Sequence, residues 1–435
     1  MFSRFNTYNR NTRHTKLKQM AKPKLALIPA SQGSELFSVL PSSGVGDFDF
    51  SRSGAATRIN SQGLIEEVED GVSRLNYPMI DGKVVGCPHH ILEPQRTNLI
   101  TYSEDASQWI NVNTTISQDD VISPDGTLNA DKFEFTGNGS IRPNTSQLTF
   151  TNDYSFSIFI KKGNARYVTL AARFFTSPLA VGFDLDTGTS QSGGIIENYG
   201  NDWYKLSLSN NVTGDTDRTG VFYVYLPSSL GAESSVSGNN AYVWGAQVEE
   251  GSYPTSYIKS NSGSTTTRSA ETANGSGDAS TFNDSEGVLM AEISALADDS
   301  SYRSISINNG STSNYVQIGF DSSGSNKIFG NIRPSGSSFS VPTNNILNFN
   351  KILIKYKIND CSLWINGFEV GTDLNGVVSS GLNQLSFDTG GVAKWYGKAK
   401  QLQYYNSALT DSELEQISSW TSFTDMAQGQ LYTIE

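Results

Sequence analysis

Charge is scarce in this sequence. Asp, Glu, Lys and Arg together make up 17% of the 435 residues, so Ser, Thr and Asn do most of the solubilising. Helix bundles, whose outer faces are laced with ion pairs, fit that balance poorly. Cysteine is nearly absent. Cys87 and Cys361 are the only 2, they fall in different expected domains, and no disulfide scaffold follows from them. Histidine is equally rare, and His14, His89 and His90 leave few arrangements for histidine-based nucleophilic catalysis. No apolar run approaches the roughly 18 residues of a membrane span, and the first residues lack the apolar stretch of a secretory signal. The chain is therefore expected to be made in a cytoplasm, with no membrane partner.

What is present points to strands. There are 40 Gly, and the aromatics, at 11%, include 19 Tyr and 22 Phe. Short strands joined by tight turns use those residues. The length suggests two or three domains. Net charge is −12, yet residues 1–24 carry Arg4, Arg10, Arg13, Lys16, Lys18, Lys22 and Lys24 and no acid. The strongly acidic remainder is repelled by phosphates, so the main domains are not expected to bind nucleic acid. The basic stretch reads either as an arm for an acidic partner or nucleic acid, or as a leader ahead of a start at Met20.

Residues 25–98 are mixed, with short apolar and turn-rich pieces and no obvious core of their own. They are expected to complete their fold against neighbouring copies or another protein. Residues 99–272 alternate clearly: Phe156, Ile158 and Ile160 on one face, then Val181, Phe183 and Leu185, then Tyr204, Leu206 and Leu208. Val221–Leu226 is β-branched and aromatic throughout, and Tyr242, Trp244, Ala246 and Val248 are expected on one side of the last strand. The spacing predicts a sandwich or jelly roll. Residues 260–286, rich in Ser, Thr, Gly and Asn, read as a linker. A second β-module follows over 273–420. Its Asn366-Gly367 pair suits a type I′ hairpin. Its Thr410-Asp-Ser-Glu413 box and the Leu409/Leu414 staple predict one short helix, and residues 421–435 form a tail.

Two segments carry a resemblance. Leu92-Glu-Pro-Gln-Arg-Thr-Asn-Leu-Ile-Thr-Tyr-Ser-Glu-Asp105, with Trp109 and Ser123–Asp131, opens a stretch that resembles a module of tailed-bacteriophage virion proteins. Val243–Glu249, Tyr253–Ile258 and Thr267-Arg-Ser-Ala-Glu271 close it in the same manner. The resemblance implies a carbohydrate-binding-like jelly roll of head fibres, tail fibres and spikes. Leu363-Trp-Ile-Asn-Gly367 and Tyr404–Leu414 make the second module similar to laminin-G or concanavalin A-like sandwiches. Together they imply a fibre, spike or decoration protein, homotrimeric, joined to other virion proteins through its N-terminal region. Fold analogy alone does not fix a ligand.

A concanavalin-like glucanase would need paired carboxylates, about 5–5.5 Å apart for a retaining mechanism. The spacing Glu-x-Asp-x-x-Glu is absent. Glu66–Asp70 and Asp411–Glu415 read as a solvated turn and a helix start. Cys87-Pro-His-His90 lacks a second ligand group at zinc-site spacing and reads as a buried Cys beside partly exposed imidazoles. Asp298, Asp299 and Asp321 are candidate calcium ligands without a distinctive loop signature. Sugar stacking requires exposed aromatics. Trp244 and Trp364 sit in alternating strands and read as core, whereas Trp395, Tyr396 and Trp203 are the candidate carbohydrate-binding residues. The expectation is an all-β tandem sandwich with an N-terminal attachment segment: a virion protein, not an enzyme, without cofactor or metal, adhering to host-surface polysaccharide. A decoration protein without ligand and a polysaccharide depolymerase are the competing readings.

Overall fold

The computed structural model describes residues 21–28, 35–36, 38–146, 148, 152–173, 179–211, 222–334, 336–343 and 345–420. Most of the basic stretch and the whole of the 421–435 tail lie outside the described residues. The fold is all-β, built of antiparallel sheets, and carries a short α-helix, Asp411–Ser419.

The first module is one curled array. Its order runs Thr189–Ser190, Leu179–Asp184, Tyr167–Ala172, Phe222–Tyr225, Leu128–Arg142, Asn240–Glu250, Asp153–Lys162, Trp203–Asn211, Gly194–Gly200, with Ile110–Ile122 paired to Leu128–Arg142. Alternation places the expected residues inside: Phe156, Ile158, Ile160, Val181, Phe183, Leu206, Leu208, Phe222 and Val224 share one core. The array curls until its ends meet. A Cβ on Gly194 would lie 2.5 Å from Val181 and 2.8 Å from Phe183, so a side chain there would hold the ends apart.

One face assignment is corrected. Tyr242 and Trp244 do not share a side with Ala246 and Val248. Gly245 takes φ +60°, and the register against Asp153–Lys162 slips between Ser157 and Phe159. This β-bulge rotates the strand by one residue. Trp244 therefore packs with Phe159, Trp203 and Tyr257 outside the main core, while Ala246 and Val248 stay within it.

The second module faces two sheets across a core that includes Ile305, Ile318, Ile328, Ile354, Leu363 and Leu402. One sheet runs Ser38–Leu40, Leu25–Leu27, Gly397–Tyr405, Glu286–Ala295, Asn350–Lys357, Cys361–Ile365, Phe368–Asp373; the other runs Ser338–Pro342, Lys327–Arg333, Tyr315–Phe320, Arg303–Asn308, Gln384–Ser386. The Asn366-Gly367 turn has φ +50° and +90°, as a type I′ hairpin requires. The helix lies on the outside of the first sheet. Glu413 accepts from the Thr410 N–H at 2.9 Å, closing the capping box, and Leu409, Leu414 and Ile417 bury against Met290, Leu353 and Trp364.

Residues 25–98 were expected to fold against other chains. Their described part folds against both modules of its own chain. Leu25–Leu27 and His89–Leu92 pair with opposite halves of Gly397–Tyr405, covering what would otherwise be an open sheet edge. Phe48–Ser51 pairs with Thr272–Asn274. The 260–286 stretch is likewise no free linker. Arg268, Glu271, Ala273, Ser276 and Phe282 are all buried in it. Hydrophobic patterning misses such a segment because most of what it buries is polar and hydrogen-bonded.

Leu414→Ala should cost about 2–5 kcal/mol, the range for deleting a buried leucine side chain. The check is the thermal unfolding midpoint, which should fall while the far-ultraviolet signature of the strands is unchanged at low temperature.

Candidate functional site

The strands that join the three parts end on charged residues, and those residues meet. Arg52 follows Phe48–Ser51, Arg74 precedes Leu75–Asn76, and Glu93 follows His89–Leu92. Arg268 ends Thr266–Arg268, and Glu271 precedes Thr272–Asn274. All five are buried. Arg74 Nε donates to Glu271 at 2.8 Å, and its Nη2 donates to Glu93 at 2.8 Å and again to Glu271. Arg52 reaches Glu271 at 3.1 Å, and Arg268 reaches Glu93 at 2.8 Å. Spare donors of two of the arginines are taken up locally: Arg74 by the Thr57 carbonyl at 2.8 Å and Ser256 Oγ at 2.6 Å, Arg52 by the Val72 carbonyl at 2.9 Å. Burial opposes the charge on Arg74, but the Glu271 and Glu93 carboxylates outweigh it and hold its pKa above the ordinary guanidinium value. Burial also works against a charged Glu93, yet Arg268, Arg74 and the Ser256 hydrogen bonds keep it well below the usual carboxylate range. Arg52 is lowered, by burial first, only partly offset by Glu271.

Beside this cluster lies a cleft of about 590 Å³, within the span of roughly 300–1,000 Å³ usual for small-ligand pockets. All three parts line it. Arg58, Tyr77, Asp81, His89 and Glu93 come from the N-terminal segment, Glu197, Tyr199, Tyr204 and Lys205 from the first module, and Phe349 and Lys398 from the second. A small hairpin, Met79–Ile80 with Lys83–Val84, closes one rim. Its Asp81-Gly82 turn has φ +49° and +72°, and a Cβ on Gly82 would come within 2.5 Å of the Gly200 backbone. Glycine at both points lets the hairpin seat directly on the first module.

Inside, Lys205 donates to the Thr255 carbonyl at 3.1 Å, and the Tyr199 ring meets Phe159 edge-on at 4.9 Å. Burial, then the Glu197 and Glu93 charges, push the Tyr199 phenol up, so it stays a neutral donor. Lys400 sits 4.2 Å above the Phe349 ring, a cation–π contact. His89 packs edge-on against Phe349 at 5.5 Å. Burial first, then the Lys398, Lys400 and His90 charges, push the His89 imidazole down to about 3. Of the lining carboxylates, Glu93 is held ionised by two arginines and so cannot donate a proton near neutrality, while Asp81 and Glu197 are exposed. Aromatic rings, hydroxyls and amides beside a few charges make this cleft suited to a polar, many-hydroxyl ligand.

The aromatic residues picked from the sequence are not there. Trp203 and Trp395 are 2% and 1% exposed and offer no face to a sugar, and Tyr396 is half-buried. Trp395 looked loop-like beside Gly390-Gly391, but it turns inward onto Phe320 at 5.1 Å. Trp203 lies on the strand face opposite Leu206, where the bulged Trp244 strand gives it a second small core. Trp244 and Trp364 are core, as expected. The Cys-Pro-His-His reading inverts: Cys87 is exposed, while His89 and His90 are each 2% exposed, because their strand is sandwiched at the junction. The calcium candidates are engaged by protein. Asp299 holds Arg303 at 2.6 and 2.7 Å, Asp298 accepts from the Asn326 N–H at 3.2 Å, and Asp321 from the Ser323 N–H at 2.9 Å. No group of three metal-ligating side chains occurs among the described residues, and no helix among them is long and apolar enough to cross a membrane.

No family model matches the chain, and no curated protein matches it. Solved structures do. The leech intramolecular trans-sialidase matches at 17% identity over 32% of this chain and 24% of its own, TM-score 0.28. Trypanosoma rangeli sialidase matches at 10% identity over 85% and 65%, TM-score 0.27. Domains LG4-5 of the mouse laminin alpha1 chain match at 9% identity over 72% and 95%, TM-score 0.22. The chain spans about a quarter of the length of the first of these. At such scores the likeness assigns neither activity nor ligand. It does correct one expectation: sialidases stand among the matched structures, so the reading of the chain as a non-enzyme is withdrawn.

Two outcomes are expected. Glu271→Gln should destabilise the protein by about 3–5 kcal/mol, since it leaves buried guanidinium groups uncompensated; chemical denaturation monitored by tryptophan fluorescence measures it. His89 binds its proton in the unfolded chain below about pH 6.5 but in the folded chain only near pH 3, so stability falls as pH falls through that window. Moving from pH 7 to 5 should cost about 2 kcal/mol, and His89→Gln should flatten that part of the pH profile.

Proposed function

We propose that this chain is a structural component of a tailed-phage particle, a fibre, spike or decoration protein, that contacts host-surface glycans through the cleft between its modules. The observation that carries the glycan half is the cleft itself, with Tyr77, Tyr199 and Tyr204 beside Arg58, Glu197 and Lys398. Tyrosine rings can lie against the C–H face of a pyranose while amides and charges take its hydroxyls. The virion half rests on the Leu92–Asp105 and Val243–Glu271 resemblance. Three of the five clustered charges, Glu93, Arg268 and Glu271, lie in those same segments, which gives that pattern a physical reason to recur. Attachment would run through the basic residues of 1–24, because residues 25–98 are largely committed to the chain's own modules. A homotrimer and residence in the virion complete the proposal.

Binding to an array of host-surface glycans, followed by calorimetric titration of the best ligand, tests the first half. Tyr77→Ala should weaken binding at least tenfold, about 1.4 kcal/mol. Unchanged affinity would remove the cleft as the contact site, and release of reducing ends from the bound polysaccharide would assign a depolymerase instead. Imaging of assembled particles tests the second half, and absence of the chain from them would end it.

A further inference from the structure

The five-stranded sheet of the second module turns Ile305, Ile307, Val316, Ile318, Ile328 and Ile332 into the core. By alternation its other face carries Ser304, Ser306 and Gln317, buried beneath the 388–393 segment, and beyond them Tyr315, Asn331 and the large apolar side chain of Phe329. Phe329 is only 2% exposed because Tyr302 lies flat on it, ring centroids 4.5 Å apart and planes 14° from parallel. A Cβ on Gly319, between Ser304 and Phe329 in the ladder, would lie 1.9 Å from the Arg303 carbonyl oxygen, so glycine there lets the strand that follows Tyr302 approach closely. Tyr302 itself is 38% exposed. One ring face is on Phe329, so the exposure of the residue falls on the opposite face and the ring edge.

That ring is held rigidly. Gln317 Nε2 donates to Tyr302 Oη at 2.9 Å, and its Oε1 accepts from Thr389 Oγ1 at 2.6 Å. Asn331 Nδ2 approaches the same hydroxyl at 3.4 Å while its Oδ1 accepts from Ser338 at 2.8 Å. Arg303, the next residue, grips Asp299 with a bidentate pair at 2.6 and 2.7 Å and reaches the Ala297 carbonyl at 3.2 Å, which fixes the turn that presents Tyr302. An aromatic ring ordered in advance loses little side-chain entropy on binding. Covering Phe329 would need only an aliphatic chain. A locked ring with an open π face, rimmed by side-chain amides and hydroxyls, does more.

We propose that Tyr302 is the stacking platform of a second saccharide-contact site, on the outer face of this sheet and separate from the junction cleft. Its ligand class is a neutral pyranose unit of an oligosaccharide. The C–H face of the sugar lies on the ring, whose face is electron-rich, and its hydroxyls meet Asn331, Ser338 and Tyr302 Oη.

The full-length protein is titrated with cellohexaose, maltohexaose and laminarihexaose, and binding is read by saturation-transfer NMR and calorimetry. At least one hexaose should bind. Tyr302→Leu, which still covers Phe329, should weaken it tenfold or more, whereas Tyr302→Phe, which keeps the ring, should stay within about threefold. Equal binding by wild type and Tyr302→Leu overturns the proposal, as does failure of the wild type to bind any of the three. Should Tyr302→Leu not fold, Asn331→Ala decides, with at least a threefold loss expected and no loss overturning it. Tyr77→Ala separates the two sites: a hexaose lost with Tyr77→Ala but kept with Tyr302→Leu belongs to the cleft and overturns this second site.

Discussion

Three guanidinium groups and two carboxylates, Arg52, Arg74, Arg268, Glu93 and Glu271, are buried where the N-terminal segment and both sandwiches converge. Taking such ions out of water costs several kcal/mol each, which mutual pairing offsets only when the remaining donors and acceptors are satisfied. Here they largely are, by carbonyls of Thr57, Val68, Val72 and Pro94 and by the hydroxyls of Ser256 and Thr255. A shifted packing of the modules would strand at least one charge without a partner. The arrangement is therefore under a polar constraint. Apolar packing supports it from both sides, with Phe48, Phe50 and Leu92 in the core of the second module and Ile65 in a small cluster of the first.

That placement has two consequences. Gly397–Tyr405 would be an edge strand of the second sandwich, with a row of free N–H and C=O groups. The N-terminal segment fills it from both ends, with Leu25–Leu27 on one half and His89–Leu92 on the other. The same segment then forms one wall of the cleft, so edge protection and ligand-scale concavity come from a single stretch of chain. His89 is placed by the strand pairing and not by any requirement of its own ring. It is buried beside lysines, and its neutral form is the one the junction can hold.

The aromatic residues show how local sequence and tertiary context part company. Trp109, Trp203, Trp244, Trp364 and Trp395 are all inside, and Trp420 is half-buried. Rings nearer solvent include Tyr77 and Tyr204, half-buried in the cleft, Tyr302, exposed on the sheet face, and Phe368, exposed beside the Asn366-Gly367 turn. A tyrosine tolerates a half-buried position because one end is apolar and the hydroxyl can reach water or a partner.

Period-2 alternation, turn chemistry and capping determined the elements: the all-β class, the inward face of most strands, the Asn366-Gly367 hairpin and the Asp411–Ser419 helix were legible because each depends on residues within a few positions of one another. The side taken by Trp244 was not, since a bulge at Gly245 depends on the partner strand as well as on the residue. Nor was the candidate site. Glu93, Arg268 and Glu271 were visible only as members of a recurring pattern, and Arg52 and Arg74 carried no signal at all. Their pairing spans separations of up to 219 residues, and a charge in a polar stretch looks the same whether it is solvated or buried. Tyr302 and Tyr77 were equally silent, because exposure of one ring face depends on what the rest of the chain packs against the other. Sequence by itself set which segments become strands and which side chains they bury. Tertiary structure alone decided where the modules meet, which charges close that junction and which rings remain open, because those depend on long-range pairing that no local period encodes.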